Sequence, residues 1–326
     1  MFRYRFLYLI PILIVIACNN KPQETSPLQS NQQKGSVVGP QESSDESLAK
    51  IKRPTITKYT TEVWTGRTNT YCSLRLLDPV KGFAENIESL IKNNQYQEAI
   101  WLLEERGISE KEKATKLKDK LTQLYTSGEY KVIPNKLGGT VVKYLFEFEG
   151  GILGLYKSAA NDFWWANEKS EVAAYQLDQL LNFNLVPLTI LRTVNGDNGS
   201  IQYFFTVVEN GDPGHTASRN FAALKVFDYI SGNKDRSFNN FLYWSQQDRV
   251  IAIDNGASFK DYQCGEAAEI KSYLELVPTL KNRINNIHDE EVKAALTHYL
   301  SQNEIESVIG RINTLKDQTS SKRASY

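Results

Sequence analysis

Gly232-Asn-Lys-Asp-Arg-Ser-Phe-Asn-Asn-Phe-Leu-Tyr-Trp244 and, six residues on, Ile251-Ala-Ile-Asp-Asn-Gly-Ala-Ser-Phe259 decide how this chain is read. Phe241–Trp244 and Val250–Ile253 are apolar runs separated by a polar stretch, the signature of a short hairpin. Asp235 and Asn240 lie before its first strand, and Asp254 lies after its second. A hairpin brings those two ends together, so the three side chains are expected at one mouth. Asp and Asn also favour turns, and either acid alone reads equally well as a turn residue. The ordered set, with Gly232 before it and Gly256 after it, carries more. One carboxylate is placed to take a hydroxyl proton, and an amide and a second carboxylate are placed to hold a divalent cation.

The set resembles the atypical kinase superfamily of the phosphatidylinositol 3- and 4-kinases and the four-jointed-related secretory casein kinases. In those families a Gly-Asn-x-Asp-Arg loop carries the catalytic acid, and an Ile/Leu-Asp-Asn-Gly or Asp-Phe-Gly segment carries the metal acid. The resemblance implies that Asp235 is the catalytic acid and Asp254 a metal ligand. Asn240 fits the Asp-Arg-x-x-x-Asn pattern of the lipid kinases as a second ligand. Ser237 departs from the His that many relatives have after Asp-Arg. The implied cofactor is ATP, or another nucleotide, with Mg or Mn. The implied fold is α+β and bilobal, with an antiparallel-sheet N-lobe, a helical C-lobe and a small helical region ahead of them.

Upstream segments supply the other parts. From Lys131 the pattern turns to strands: Val141–Phe148, a Gly150-Gly151 turn, and Ile152–Tyr156 leading to Lys157. Gly138 and Gly139 open that hairpin, and glycine lets backbone amides approach phosphates closely. Two glycines before a strand are also an ordinary turn. Asn167–Phe183 has a helical apolar face at Ala173, Leu177, Leu180 and Leu181. At about 100° per residue, Glu171 falls on the flank of that face and Glu168 opposite it. The helix resembles the one in the same families whose glutamate pairs with the strand lysine. Lys157 is thereby expected to meet nucleotide phosphates, with Glu171 as its partner.

Leu188–Val194 and Ile201–Val208 read as strands joined by a loop at Asn195–Ser200. Glu209–Pro213 is then the expected crossing between lobes. Ala223, Val226, Phe227 and Ile230 form a helix face that stops at Gly232. Two or three helices follow Asp254, the last capped by Ser301 with Glu304. The expected N-lobe is 131–208 and the C-lobe 209–318, with a tail at 319–326. Phe163-Trp164-Trp165 reads as packing, with a substrate contact as the alternative.

The region 54–130 reads as mainly helical. Phe83, Ile87, Leu90 and Ile91 share one face, Tyr96, Ile100 and Leu103 another, and Ser109 with Glu112 marks a capping box. No second copy follows at a fixed period, so no solenoid is indicated. Its expected role is packing on the core, with partner docking as the alternative.

The amino end has Arg3 and Arg5, an apolar run to Ala17, then Cys18. The run is about a dozen residues, short of the roughly 20 a spanning helix needs. It has signal-peptide anatomy over 1–17, and Val15-Ile-Ala-Cys18 resembles the bacterial lipobox, in which Cys18 becomes lipidated. Residues 18–53 are too polar to fold and read as a tether. The chain is therefore expected outside the cytoplasm, held to a membrane by a lipid anchor, on the periplasmic face or the cell surface; the alternative is an ordinary signal peptide or an uncleaved anchor, with Cys18 incidental.

The remaining body of about 270 residues is large enough for one bilobal domain. Formal charge is zero, which implies no strong polyanion partner and no nucleic acid. Cys72 and Cys264 either pair as a disulfide or stay as two thiols. His215, His288 and His298 show no zinc spacing and no Ser-His-Asp pattern. The reading is a metal-dependent transfer of a nucleotide's terminal phosphate to a protein, sugar or lipid hydroxyl. Its alternatives are an inactive kinase-like scaffold and a nucleotidyl transferase on the same fold.

Overall fold

Ile87 and Leu90, about one turn apart, are the buried positions of helix α1 (Phe83–Lys92). The helix stops at Asn93-Asn94, where Asn94 takes φ 61°, a conformation asparagine tolerates. The structure is a computed structural model and describes residues 82–134, 143–159, 167–212, 214–215, 219–260 and 265–316. Helix α2 (Tyr96–Glu105) is buried along most of its length, polar Gln97 and Glu98 included. Helix α3 (Lys111–Ser127) buries only Ala114, Leu121 and Tyr125. The capping box expected at Ser109 and Glu112 does not form. Residues 108–110 make a tight 3-10 turn, and the residue before α3 is Glu110, without a side-chain cap. A serine inside a helical turn lacks the extended backbone from which a cap reaches forward.

Five antiparallel strands form a sheet in the order β1-β2-β3-β5-β4. They are β1 (Tyr130–Ile133), β2 (Lys143–Phe148), β3 (Leu153–Ser158), β4 (Thr189–Val194) and β5 (Asp197–Tyr203). All six residues of β3 are buried, as befits a central strand covered on both faces. Alternation splits the sheet. Tyr130, Phe146 and Tyr156 stack on one face, with centroids 4.2 and 5.3 Å apart. Leu145, Leu155 and Lys157 point to the other.

Two sequence expectations are corrected here. The six-residue loop at Asn195–Ser200 shrinks to a two-residue turn, Asn195-Gly196, with φ 52° and 86°. Positive φ at both positions matches strand twist, so pairing continues up to the turn. The strand expected to run to Val208 ends at Tyr203, and Glu209–Asn210 is itself a strand, β6. The crossing is therefore 204–208, earlier than expected.

Strand β6 joins β7 (Phe241–Trp244) and β8 (Arg249–Ala252) in a second antiparallel sheet, so the expected hairpin is present. Helix α4 (Glu168–Leu181) lies between β3 and β4 in chain order. Asn167 caps it, its Oδ1 accepting from Ser170 N at 2.8 Å. Helix α5 (Arg219–Ser231) ends at Gly232, whose φ of 69° is the left-handed stop expected there. Four further helices follow among the described residues, more than the two or three expected: α6 (Ala267–Glu275), α7 (Pro278–Asn286), α8 (Asp289–Leu296) and α9 (Gln302–Leu315). The Ser301–Glu304 capping box forms, and Ile305, Val308, Ile309 and Ile312 of α9 are buried as their spacing implied. The fold is mixed α+β and bilobal, an antiparallel sheet against a helical lobe, with α1–α3 ahead of it. None of the described helices is long and apolar enough to cross a membrane.

Helix α2 fastens to both parts. Gln97 Oε1 accepts from Leu188 N at 2.8 Å, at the entry to β4. Arg249 of β8 pairs with Glu105 and lies 4.8 Å over the Trp101 ring. Tyr203 Oη is 2.9 Å from Glu98 Oε2 and 3.0 Å from Asn94 O. The phenol donates to Glu98, and its single proton serves one of these two acceptors at a time. Burial pushes the Glu98 carboxyl up to about 7 against the bonds from its own backbone and Tyr203.

A carboxyl raised above its ordinary 4.5 favours folding while it is protonated. That contribution is full below pH 4.5 and is lost as pH rises to about 7. Glu98→Gln should therefore flatten the stability profile over this window. Melting temperatures measured from pH 4.5 to 8 check this. Parallel curves for the two proteins would show that Glu98 is ionised throughout.

Candidate active site

Lys157 stands at the centre. On β3 it shares a face with Leu155, and α4 presents Glu171 from its first turn. Lys157 Nζ bonds Glu171 Oε1 in a close contact and Asp254 Oδ1 at 2.8 Å. The other Glu171 oxygen accepts from Asn255 N at 3.0 Å, so one buried carboxylate holds both the lysine and the backbone after Asp254. Glu168, expected to be solvated, is half-buried. Burial alone would lower the Lys157 pKa, but Asp254 and Glu171 override it and hold the ammonium charged. In return Lys157 holds the Asp254 carboxyl well below the usual carboxylate range, against burial and with help from Lys143.

Asp254 takes φ 56° just past β8, a left-handed conformation that Asp tolerates better than most residues. This bend turns the chain out of the strand and onto the start of α4, where Asn167 N donates to Gly256 O at 3.1 Å. The loop carrying Asp235 is held from two sides. Asn233 Oδ1 accepts from Asp235 N at 3.0 Å. Asn240 Nδ2 donates to Asp235 O at 2.6 Å and to its Oδ2 at 3.2 Å. Asp235 itself is exposed.

Arg236 joins this loop to the Asp254 segment. Its guanidinium donates to Asp228, at 3.0–3.2 Å, and to Ile253 O at 2.6 Å. It also donates to Asn255 Oδ1 at 2.6 Å, and to Asn240 O in a close contact. Burial raises the Asp228 pKa and Arg236 opposes it. A buried charge with several acceptors is costly to disturb, because removing one member strands the rest.

A cleft of about 340 Å³ opens between these parts. Lys143, Lys157, Asn239, Asn240 and Asp254 line its polar end. Leu155, Phe204, Leu242 and Ile253 add apolar lining. Apolar lining suits a nucleotide base, and the polar groups suit phosphates and a cation. The structure thus brings Lys157, Glu171, Asn240 and Asp254 to one place, with Asp235 joined through Asn240. Gly138, Gly139, Cys18, Cys72, Cys264 and Phe163-Trp164-Trp165 lie outside the described residues, as do the signal, tether and tail.

Sequence reasoning missed Lys143 and Asn239 and did not see the work of Arg236. Lys143 pairs with Lys157 across the β2–β3 hairpin, a register countable from the Gly150-Gly151 turn. Burial lowers the Lys143 pKa, as does Lys157, while Asp254 and Glu171 raise it.

Among the described residues no three His, Cys, Asp or Glu side chains gather around one point. Asp254 and Asn240 offer one carboxylate and one amide. Asn240 spends Nδ2 on Asp235, and Oδ1 is its atom able to ligate. Such a sparse set fits a hard cation that arrives with phosphate oxygens and keeps several waters, as Mg does. It does not fit a metal held by protein alone.

No family model matches the chain, and no curated protein matches it. Solved structures similar to parts of it include the following three. A crystal structure of the Golgi casein kinase is 16% identical, with a TM-score of 0.46, covering 61% of this chain and 73% of that one. A Golgi casein kinase with Mn/ADP bound is 15% identical, also at 0.46, covering 62% and 75%. A hydra Fam20 with sugar is 13% identical, at 0.46, covering 61% and 88%.

Proposed function

We propose that this chain is a metal-dependent phosphotransferase that moves the terminal phosphate of a nucleotide to an alcohol. The observation that carries the reading is the double engagement of Lys157. It bonds Glu171 and Asp254 on the wall of a cleft whose other polar corner, Asn240, holds Asp235. Lys157 would neutralise phosphate oxygens, and Glu171 keeps it charged and aimed. Asp254 and Asn240 would hold Mg or Mn. The bound cation would offset charge on the phosphates during transfer. Asp235, exposed at the mouth, would orient the acceptor hydroxyl and take its proton as the bond from the terminal phosphorus to the leaving diphosphate breaks. The acceptor is a protein, sugar or lipid hydroxyl. The membrane-anchored, exported address rests on the pattern ending at Cys18, and no nucleic-acid partner is proposed.

One observation favours a second reading. Both oxygens of Asp254 face lysines, at 2.8 and 3.7 Å, an arrangement that also suits a nucleotide-binding protein without turnover.

Nucleotide consumption by the purified full-length protein with Mn separates these readings. Asp235→Ala should lower turnover by about 10²–10⁴-fold and keep nucleotide binding. Asp254→Ala should lose both turnover and the thermal shift given by nucleotide with Mn. Unchanged rates in both variants would end the phosphotransferase reading. A thermal shift without any turnover in the wild type would favour the binding protein. Mass analysis of the acceptor distinguishes added phosphate from an added nucleotide monophosphate.

The donor set makes a further demand. Mn alone should leave the melting temperature of the wild type unchanged, and Mn with nucleotide should raise it, since a ligand stabilises the state it binds. A shift with Mn alone would reveal a protein-only metal site.

A further inference from the structure

Lys143 has no part in the function argued so far, yet it is built into the same cleft. Its side chain is 5% exposed, and its Nζ is 3.7 Å from Asp254 Oδ2, while Lys157 takes Oδ1. The β2–β3 register sets Lys143 directly opposite Lys157, so both lysines rise from one face of the sheet. Like charges directly opposite each other destabilise a strand pair, and burying an ammonium costs more. Packing alone therefore does not call for a lysine here. Asp254 faces both lysines and Glu171 pairs with Lys157 before any ligand enters. The triphosphate of a nucleotide carries several negative charges into that setting. Phosphate oxygens then compete with Asp254 for both ammoniums.

We infer that Lys143 is a second phosphate-binding residue, and that with Lys157 it occupies Asp254 until a nucleotide arrives. The inference rests on the phosphotransferase reading above and adds a sequence of events to it. Phosphate oxygens draw the lysines off Asp254, and the released carboxylate becomes available to the cation. No covalent step is involved; the exchange is one of ion pairs. It accounts for why so small a donor set waits for the nucleotide.

The test uses full-length protein carrying Lys143→Gln, with Lys143→Arg as the charge-keeping control and Lys143→Met should the Gln variant not fold. Calorimetry with adenosine, ADP and ATP in the presence of Mn reads phosphate binding. Electron paramagnetic resonance of Mn without nucleotide reads the availability of Asp254. The Gln variant should bind ATP about tenfold more weakly, the size of one lost charge-assisted bond, and adenosine as the wild type does. It should also bind Mn alone more tightly than the wild type. The Arg variant should recover most of the ATP affinity. Opposite signs for ATP and Mn are something a purely structural lysine would not produce.

Wild-type ATP affinity in the Gln variant overturns the inference. An equal loss for adenosine and ATP also overturns it, since that marks a collapsed cleft. Weaker ATP binding without a gain in Mn binding overturns the exchange at Asp254. If the wild type binds no nucleotide at all, the phosphotransferase reading fails and this inference falls with it. Nucleotide binding that ignores the substitution sinks only the role of Lys143.

Discussion

A lysine ammonium almost out of contact with water has to be surrounded by negative charge, and much of this structure meets that requirement. Lys157 sits on a strand covered on both faces. It stays charged because Glu171 comes from a helix and Asp254 from the end of a distant hairpin. Those two carboxylates cannot reach it unless α4 lies across the sheet and β8 ends beneath it. The ion pair therefore reports on the docking of three segments. Buried pairs of this kind are poor sources of net stability, since desolvation offsets most of the attraction. Keeping one in the core specifies an arrangement more than it strengthens a fold.

Arg236 does for the loop what Lys157 does for the cleft wall. Its planar fork presents several donors in fixed directions, which a lysine cannot do. It spends them on a carboxylate of α5, two backbone carbonyls and a side-chain amide. The exposed Asp235 thus stands on a rigid base next to a strongly held neighbour. Precision at an exposed carboxylate has to come from what lies underneath it, because water supplies none.

The residues most legible in the chain were those whose chemistry requires a particular neighbour at a short interval. Asp235 and Asn240, five apart in a polar loop, and Asp254 at the end of an apolar strand could be placed together from the hairpin between them. Glu171 could be aimed from helical angles. Lys143 stayed hidden because a strand lysine usually faces water, and only the pairing register carries it inward. The bonds of Arg236 were out of reach because its acceptors come from separate parts of the chain. The strand end at Tyr203 was misjudged because Phe204-Phe205 continue a strand-like composition where the pairing runs out, the last backbone bond going from Phe204 N to Leu153 O. Ser109 had cap chemistry, but the 3-10 turn around it moved the helix start beyond its reach.

Helix α2 adds a second set of ties between the two sheets, apart from the ion pairs of the cleft and the crossing at 204–208. Gln97 and Glu98 grip the five-stranded sheet, and Glu105 with Trp101 grips Arg249 in the three-stranded one. A rotation of one lobe about the crossing would tear the guanidinium from its carboxylate and lift it off the indole. The ties on the cleft side are of another kind, the pairs of Lys143 and Lys157 with Asp254, so the hold of α2 does not depend on the charges that a ligand would meet.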